Sequence, residues 1–202
     1  MTDLAALHEA IERFTVDIEA YWTFAFPAVY GGAYTPISDF VAYRELRDAP
    51  LCDAVRLSLR NAYYCEDGDF IAWDERGLML PLYQEAGDFA LAFVLAHEWG
   101  HAVAARSGAR LPETIFGELQ ADCFAGAYAA WAERNGSLQP GDLDEAIFTL
   151  YRERDPAGTP WLDPDAHGSA FERIGAFSEG YQQGPSLCAN YSLPSPPFPP
   201  PG

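Results

Sequence analysis

The sequence contains no lysine, and its formal net charge is −18 because 30 acidic residues outnumber 12 basic ones. Proteins bind nucleic acids and anionic membranes through clusters of basic residues, so such an acidic chain would repel both. We therefore expect no nucleic-acid partner. A neutral or cationic peptide is compatible with this charge, and so is an acidity that serves only solubility.

Long apolar runs are also missing from the sequence. A membrane-spanning helix needs about 20 consecutive apolar residues, and the apolar stretch at residues 87–97 is much shorter. Residues 1–20 carry acidic side chains and lack the basic segment that begins a signal peptide. The chain as given is therefore expected to be soluble, without a membrane-spanning segment. An ectodomain whose export signal or anchor has been removed would show the same sequence features.

Cysteine is scarce, and the four cysteines are Cys52, Cys65, Cys123 and Cys188. They form no Cys-x-x-Cys motif, so a cysteine-ligated zinc site is not expected. An even number spread along the chain is typical of two disulfides in an oxidising compartment, which favours an extracytoplasmic location. Of the three possible pairings, Cys52 with Cys65 and Cys123 with Cys188 is the first to test. The alternative is four reduced, buried thiols.

Histidine is equally rare, yet two of the four histidines lie in one pentapeptide, His97-Glu98-Trp99-Gly100-His101. The segment before it is rich in alanine, leucine and phenylalanine, which predicts a helix that Asp88 would cap. Residues four apart share one helix face, so His97 and His101 can bind one metal ion. Glu98 is then placed as the general base of a zinc hydrolase. The alternative is a chance match with both histidines packed in the core, but burying polar groups without partners is costly.

Catalytic zinc usually has three protein ligands, so a third ligand is needed. The metzincin motif is absent, because Ala104 and Ser107 occupy its glycine and third histidine positions. Glu118 and Asp122 lie four residues apart in a second helical stretch. We predict that Glu118 completes the zinc site and that Asp122 accepts a hydrogen bond from a ligand histidine. The alternative, a solvated acidic helix face, fits poorly with the apolar neighbours of both residues.

Four segments of the chain together resemble the neutral zinc metallopeptidases of bacteria. They are Asn61–Cys65, Gly87–His101, Glu118–Gly126 and His167–Arg173, and their core covers about residues 60–182. The combination of His-Glu-x-x-His with Glu-Leu-Gln-Ala-Asp-Cys is far more specific than either part alone. The resemblance implies a gluzincin-type site, in which a glutamate is the third zinc ligand. It implies no particular substrate.

Hydrophobic residues make up 49% of the chain and aromatic residues 14%, which is typical of a folded domain. We expect one zincin-like α+β domain, mostly α, over residues 1–193, with a small hairpin before the first motif helix. The proline-rich residues 194–202 are expected to be disordered. The predicted elements are hairpin strands at 54–65 and 69–73 and helices at 4–22, 36–47, 113–134, 142–154 and 169–183.

These features predict a zinc-dependent metallopeptidase with one zinc ion and a peptide or protein substrate. Glu98 would take a proton from the attacking water and pass it to the leaving amine. His167 is the candidate for stabilising the oxyanion, unless it is an ordinary loop histidine. Tyr64 and Tyr128 are weaker candidates, and Arg173 could instead orient an acid near the site. The hairpin could bind an extended substrate at its edge or could simply form part of the core.

Two functions of other classes fit the same motifs. A regulatory or assembly protein could retain the metal without turnover, although it would not need Glu98. A hydrolase of a non-peptide amide, such as cell-wall material, could use the same helix and base. The motifs also leave the metal open, because a site with two histidines and a glutamate accepts other first-row ions.

Overall fold

The computed structural model describes residues 3–109, 111, 114–160, 163 and 166–191. The helices within these ranges are α1 (Asp3–Tyr30), α2 (Leu80–Glu85), α3 (Phe89–Ser107), α4 (Thr114–Arg134), α5 (Asp142–Arg152), α6 (Ala170–Gln183) and α7 (Pro185–Ala189). The strands are β1 (Asp39–Tyr43), β2 (Leu51–Cys52), β3 (Val55–Arg56), β4 (Ala62–Cys65) and β5 (Phe70–Asp74). A 3₁₀ turn (Leu46–Asp48) and a π-helical turn (Glu75–Met79) complete the described elements. The chain is a single α+β domain, mostly α, as predicted, whereas the predicted tail at 194–202 lies outside the described residues.

Helix α1 continues well beyond its predicted end, because its apolar face extends to Phe26. Leu7, Phe14 and Ile18 are buried and lie on one face of the helix. Phe14 meets Phe89 of α3 edge to face, with 5.8 Å between the ring centres. Helix α1 therefore covers α3, which lies at the centre of the core.

Three strands form a small sheet in the order β1-β5-β4. Strands β4 and β5 pair antiparallel and form the predicted hairpin before the first motif helix. The strand predicted at 54–65 is broken, because β3 pairs with β2 in a separate sheet and only β4 pairs with β5. Strand β1 pairs parallel with β5, so the helix predicted at 36–47 is wrong. Here tertiary contacts outweigh local helix propensity. Tyr43 is buried and donates a hydrogen bond to the carbonyl of Ser58 at 2.6 Å, and Phe40 packs against Trp99 with 5.1 Å between the ring centres.

Asp88 occupies the predicted N-cap position of α3, but the side chain that accepts the capping hydrogen bond comes from another helix. Asp88 has helical dihedral angles, and its side chain makes no capping hydrogen bond. It pairs instead with Arg13 at 2.5 Å. Glu145 of α5 accepts the hydrogen bond from the Phe89 backbone N–H at 2.8 Å. The helix ends at Ser107 and is followed by Gly108, whose φ of 70° suits glycine. Contacts with α1 and α5 therefore hold the beginning of α3 in place.

Helices α4 and α6 pack closely because glycines lie at their contact. A Cβ atom on Gly126 would lie 1.9 Å from the carbonyl oxygen of Phe177. A Cβ atom on Gly180 would lie 1.8 Å from the carbonyl oxygen of Cys123. No larger residue fits at either position without separating the helices.

Two disulfides join segments that are separate in sequence. Cys123–Cys188 connects α4 to α7, and Cys52–Cys65 connects β2 to β4. This is the pairing placed first from the sequence, and it favours an oxidising compartment over a reducing one. None of the helices in the described part of the chain has the length and apolar character needed to cross a membrane.

Candidate metal centre

Helices α3 and α4 cross at Gly100, the fourth residue of the histidine pentapeptide. A Cβ atom at this position would lie only 2.7 Å from the Cα atom of Ala121. Glycine therefore allows the two backbones to approach each other. This close crossing places the histidines of α3 directly against the acidic residues of α4.

The three predicted ligands converge at this crossing. Nε2 of His97 lies 3.2 Å from Nε2 of His101 and 3.1 Å from Oε2 of Glu118. Nε2 of His101 lies 3.2 Å from Oε1 of Glu118. The ligand atoms of all three residues lie within 4.8 Å of one another. The structure thus brings together the ligand set predicted from the sequence.

The spacing of these atoms fits a tetrahedral zinc ion. Zinc bonds of about 2.0–2.1 Å separate the ligand atoms of a tetrahedron by about 3.3–3.4 Å. The contacts of 3.1–3.2 Å between the three side chains are close to that spacing. Two imidazole nitrogens and one carboxylate are also a donor set that zinc takes in hydrolases, where the fourth position is left for water or substrate.

His97 is held from behind by Asp122, as predicted for this acid. Nδ1 of His97 lies 2.8 Å from Oδ1 of Asp122. The ionised carboxylate can only accept, so Nδ1 carries a hydrogen, and Nε2 is the nitrogen that offers its lone pair to a metal when the ring is neutral. Arg173 donates from Nε and Nη2 to both oxygens of Asp122, at 2.8 and 2.9 Å. The three side chains form a buried chain of charge-assisted hydrogen bonds that orients the imidazole.

The electrostatics of the site favour a positive charge between the three ligands. Burial lowers the pKa of His97, but Asp122 and Glu118 outweigh this effect and raise the pKa to about 10. Burial raises the pKa of Glu118, yet the charges of His101 and His97 hold it well below its usual range. The pKa of Asp122 is also lowered, because Arg173 and His97 outweigh burial. A divalent metal would compete with protons for this position.

Glu98 lies beside the three ligands and is almost completely buried, yet it lines the cleft above them. Burial raises the pKa of its carboxyl group against the opposing charges of His97 and His101. The backbone of Tyr64 also forms a hydrogen bond with it, which lowers the pKa. A carboxylate with a raised pKa accepts and returns a proton more readily near neutral pH. The arrangement suits a general base.

The cleft above the site has a volume of about 990 Å³. It is lined by the three predicted ligands and Glu98 and by two wall segments, which are residues 58–64 and residues 152–155 with His167. Strand β4, which supplies part of the first wall, lies at the edge of its sheet. A volume of this size accommodates several residues of an extended peptide.

His167 lies on the rim of the cleft, and its side chain is 40% exposed. Its Nδ1 atom lies 3.8 Å from Oδ1 of Asp155, which is too long for a hydrogen bond. The other oxygen of Asp155 accepts hydrogen bonds from the backbone N–H groups of His167 and Gly168, at 2.9 and 2.7 Å. The loop backbone is therefore held in place, and His167 is one of the residues that line the cleft.

The two tyrosines considered as oxyanion donors are engaged elsewhere. Tyr64 lines the cleft, but its hydroxyl donates to Oδ1 of Asp69 at 3.1 Å. Tyr128 is 1% exposed, and its hydroxyl donates to Asp17 of α1 at 2.9 Å. Tyr128 is therefore a core residue, and its assignment as an oxyanion donor is wrong. Tyr128 lies almost two turns beyond Asp122 on α4. The sequence alone did not show how far this position is from the cleft.

Gln120 is a positioning residue that was not identified from the sequence. Its side chain is buried and donates hydrogen bonds to the carbonyl oxygens of Ala109 and Cys188, at 3.1 and 3.0 Å. It thereby connects α4 to the end of α3 and to α7 beside the cleft. A buried glutamine within an apolar helix is a recognisable signal, but its two partners are remote in sequence.

A second acidic group is formed by Asp88, Asp142 and Glu145, whose carboxylate oxygens also lie close together. These side chains have protein partners. Arg13 pairs with Asp88, the Phe89 N–H donates to Glu145, and the Gln139 backbone N–H donates to Asp142 at 2.8 Å. The group therefore stabilises the starts of α3 and α5.

Residues 113–191 match the family model described as "Putative neutral zinc metallopeptidase". The uncharacterized protein YpfJ of Escherichia coli K12 is 32% identical over 127 residues, which cover 52% of this chain and 44% of YpfJ. The uncharacterized proteins Mb2605 of Mycobacterium bovis and Rv2575 of Mycobacterium tuberculosis are each 31% identical over 166 residues, which cover 66% of this chain and 53% of the relative. The chain thus spans about half the length of these curated relatives. No solved structure is significantly similar to it, and the family resemblance stated from the sequence is confirmed.

Proposed function

We propose that this chain, which resembles the neutral zinc metallopeptidases, is a zinc-dependent peptidase with a gluzincin-type site. The observation that carries the proposal is the convergence of His97, His101 and Glu118 at tetrahedral spacing beneath a cleft that also contains Glu98. A structural zinc site would be closed by a fourth protein ligand and would need no neighbouring base. The combination therefore supports catalysis more strongly than metal storage.

A zinc ion held by these three residues would supply Lewis-acid activation of water and of a scissile carbonyl group. Glu98 would accept a proton from the attacking water at its carboxylate and deliver that proton to the leaving amine. Its burial supports both steps, because the raised pKa allows the protonated form to exist during turnover. Asp122 and Arg173 would keep the His97 ring in a single orientation throughout.

The walls of the cleft would bind and orient the substrate. An extended peptide could lie along the outer edge of β4 and form main-chain hydrogen bonds as an added strand. His167 would donate a hydrogen bond to the oxyanion from its place in the cleft lining. The 40% exposure of its side chain supports this role. The two disulfides support an extracytoplasmic location for this activity.

Metal content and turnover should be measured on the same set of purified variants. The Glu98→Gln variant should keep about one zinc ion per chain while peptide cleavage falls by about 10²–10⁴-fold. The His97→Ala variant should lose the metal as well as the activity. Glu12→Gln, at an exposed position of α1, is the matched control and should behave as the wild type.

The outcomes separate the proposal from its rivals. Equal metal content in the wild type and His97→Ala would contradict the metal site itself. Bound metal with no cleavage of any peptide, together with an unchanged cellular phenotype for Glu98→Gln, would indicate a metal-binding protein without turnover. Release of cell-wall fragments without peptide cleavage would identify a hydrolase of another amide.

A further inference from the structure

The two ends of the cleft can be told apart by the direction of β4 relative to α3. Arg106, in the last turn of α3, donates hydrogen bonds to the Tyr64 hydroxyl at 3.2 Å and to Asp69 at 2.5 Å. The carboxyl ends of α3 and β4 therefore lie together. It follows that Arg60, which precedes β4, lies toward the half of α3 that contains Phe93.

Arg60 is held in an unusual backbone conformation at this end of the cleft. Its φ is 61°, a left-handed value that is uncommon for a residue with a side chain. The Asp74 carboxylate accepts a hydrogen bond from the Arg60 N–H at 2.8 Å and fixes this conformation. The Cγ atom of Arg60 would lie 3.1 Å from a Cβ atom on Gly77, so the absence of a side chain there leaves room for the arginine. Strained residues of this kind are concentrated at functional sites.

Arg152 lines the same cleft from the last turn of α5. Its Nη1 atom is buried, and no atom in the described part of the protein accepts a hydrogen bond from it. Nη1 lies 3.2 Å from Oε2 of Glu85 without hydrogen-bond geometry, and Nε lies 3.6 Å from Oε1 of Glu153. The Arg152 side chain as a whole is 30% exposed and has two carboxylates nearby, so among the described residues only its buried Nη1 donor lacks an acceptor, which a substrate oxygen in the cleft would supply.

The cleft around the two arginines is lined by buried apolar residues and by charged side chains of both signs, among them Glu66, Glu153 and Asp155. Leu78, Phe93 and Val94 are buried residues that line the cleft, and Phe93 and Val94 lie about one helical turn before His97. In a chain with a net charge of −18, attraction of a carboxylate into this cleft would therefore depend on the two guanidinium groups themselves.

We propose that Arg60 and Arg152 bind a carboxylate group of the substrate at this end of the cleft. The inference rests on the proposed peptidase function and names the class of peptide that the site selects. One helical turn corresponds to about 5 Å, so the carboxylate belongs to a residue within about two positions of the cleaved bond. The carboxylate comes either from an aspartate or glutamate side chain or from the carboxyl terminus of the peptide.

Matched peptides distinguish these two sources. One set carries glutamate or glutamine at each of the two positions on either side of the cleaved bond, and the other ends in a free acid or an amide. The wild type should cleave the acidic member of one set with a kcat/KM about five- to tenfold higher, mainly through KM. The set that responds identifies the source of the carboxylate.

Variants then assign the preference to the two arginines. Arg60→Gln and Arg152→Gln should each lower kcat/KM for the acidic peptides and reduce the preference toward unity, with a much smaller change for the neutral peptides. A merely structural defect would lower kcat/KM for acidic and neutral peptides alike. Arg47→Gln, an exposed residue of the 3₁₀ turn, is the control and should retain the preference. Equal cleavage of acidic and neutral peptides by the wild type, or a preference that survives both substitutions, overturns the proposal.

Binding to the Glu98→Gln variant provides a readout that does not need turnover. Fluorescence anisotropy with labelled acidic and neutral peptides should show tighter binding of the acidic peptide, weakened by salt and by Arg60→Gln. If no peptide is cleaved by any variant, the peptidase function itself has failed. If peptides are cleaved but binding to Glu98→Gln is indifferent to the carboxylate, only the arginine proposal has failed.

Discussion

Removing Arg173 alone should destabilise this protein more than removing Arg173 and the charge of Asp122 together. Both side chains are buried, with exposures of 3% and 0%, and two hydrogen bonds of 2.8 and 2.9 Å connect them. The Arg173→Met variant leaves the Asp122 carboxylate in the core with His97 as its partner. Removing one partner of a buried ion pair costs about 3–5 kcal/mol, and the remaining charge of His97 should place this loss toward the lower end of that range. Asp122→Asn leaves the arginine uncompensated and should cost a similar amount.

The double variant Asp122→Asn/Arg173→Met contains neither charge, so much of the stability should return. Urea unfolding of the metal-free forms measures these changes in the free energy of unfolding. The asparagine keeps an oxygen that can accept from His97 Nδ1, but as a weaker partner. Zinc affinity, measured by competition with a chromophoric chelator, should therefore fall by about 10–100-fold for Asp122→Asn.

Two results would refute this reasoning. If the double variant loses the sum of the two single losses to within about 0.5 kcal/mol, Asp122 and Arg173 do not act as a coupled pair. If Asp122→Asn binds zinc as tightly as the wild type, the hydrogen bond to His97 does not prepare this ring for the metal.

Three further expectations follow from the structure. The pKa of His97 rises from 6.5 to about 10 on folding. In the chelator-treated protein, the contribution of His97 to the free energy of unfolding should therefore be full below pH 6.5 and be lost as the pH rises through about 10. A free energy of urea unfolding that is constant over this range would contradict the shift. Gly180→Ala should lower the free energy of unfolding by at least about 1–3 kcal/mol, because the two helices must separate. The control Gly175→Ala, where an added Cβ atom would have nothing within 4 Å, should be neutral or stabilise by up to about 1 kcal/mol. Equal urea midpoints for the two variants would be inconsistent with a tight contact at Gly180. Replacing Cys123 and Cys188 with alanine removes a link across 65 residues and should cost about 4 kcal/mol by thermal or urea unfolding, so a loss below about 1 kcal/mol would argue against it.

Local periodicity accounts for much of what could be predicted about the site. His97 and His101 share a helix face because they are four residues apart, and the same spacing brings Glu118 and Asp122 to one face of α4. The hairpin of β4 and β5 was also predictable from its turn residues and apolar pattern. Strand β1 was not, because its conformation depends on pairing with β5, which lies far along the chain.

The sequence by itself determined which residues we propose as the metal ligands and the neighbouring base, and which helices carry them, because these predictions depend on spacing within single elements. Only the tertiary structure decided how α3 and α4 meet, and Gly100 permits the approach that places the ligand atoms 3.1–3.2 Å apart. It also excluded Tyr128 from the site and brought Arg60 and Arg152 to one cleft. These relations join elements distant in sequence, and packing across the core, rather than any local pattern, sets the distances between them.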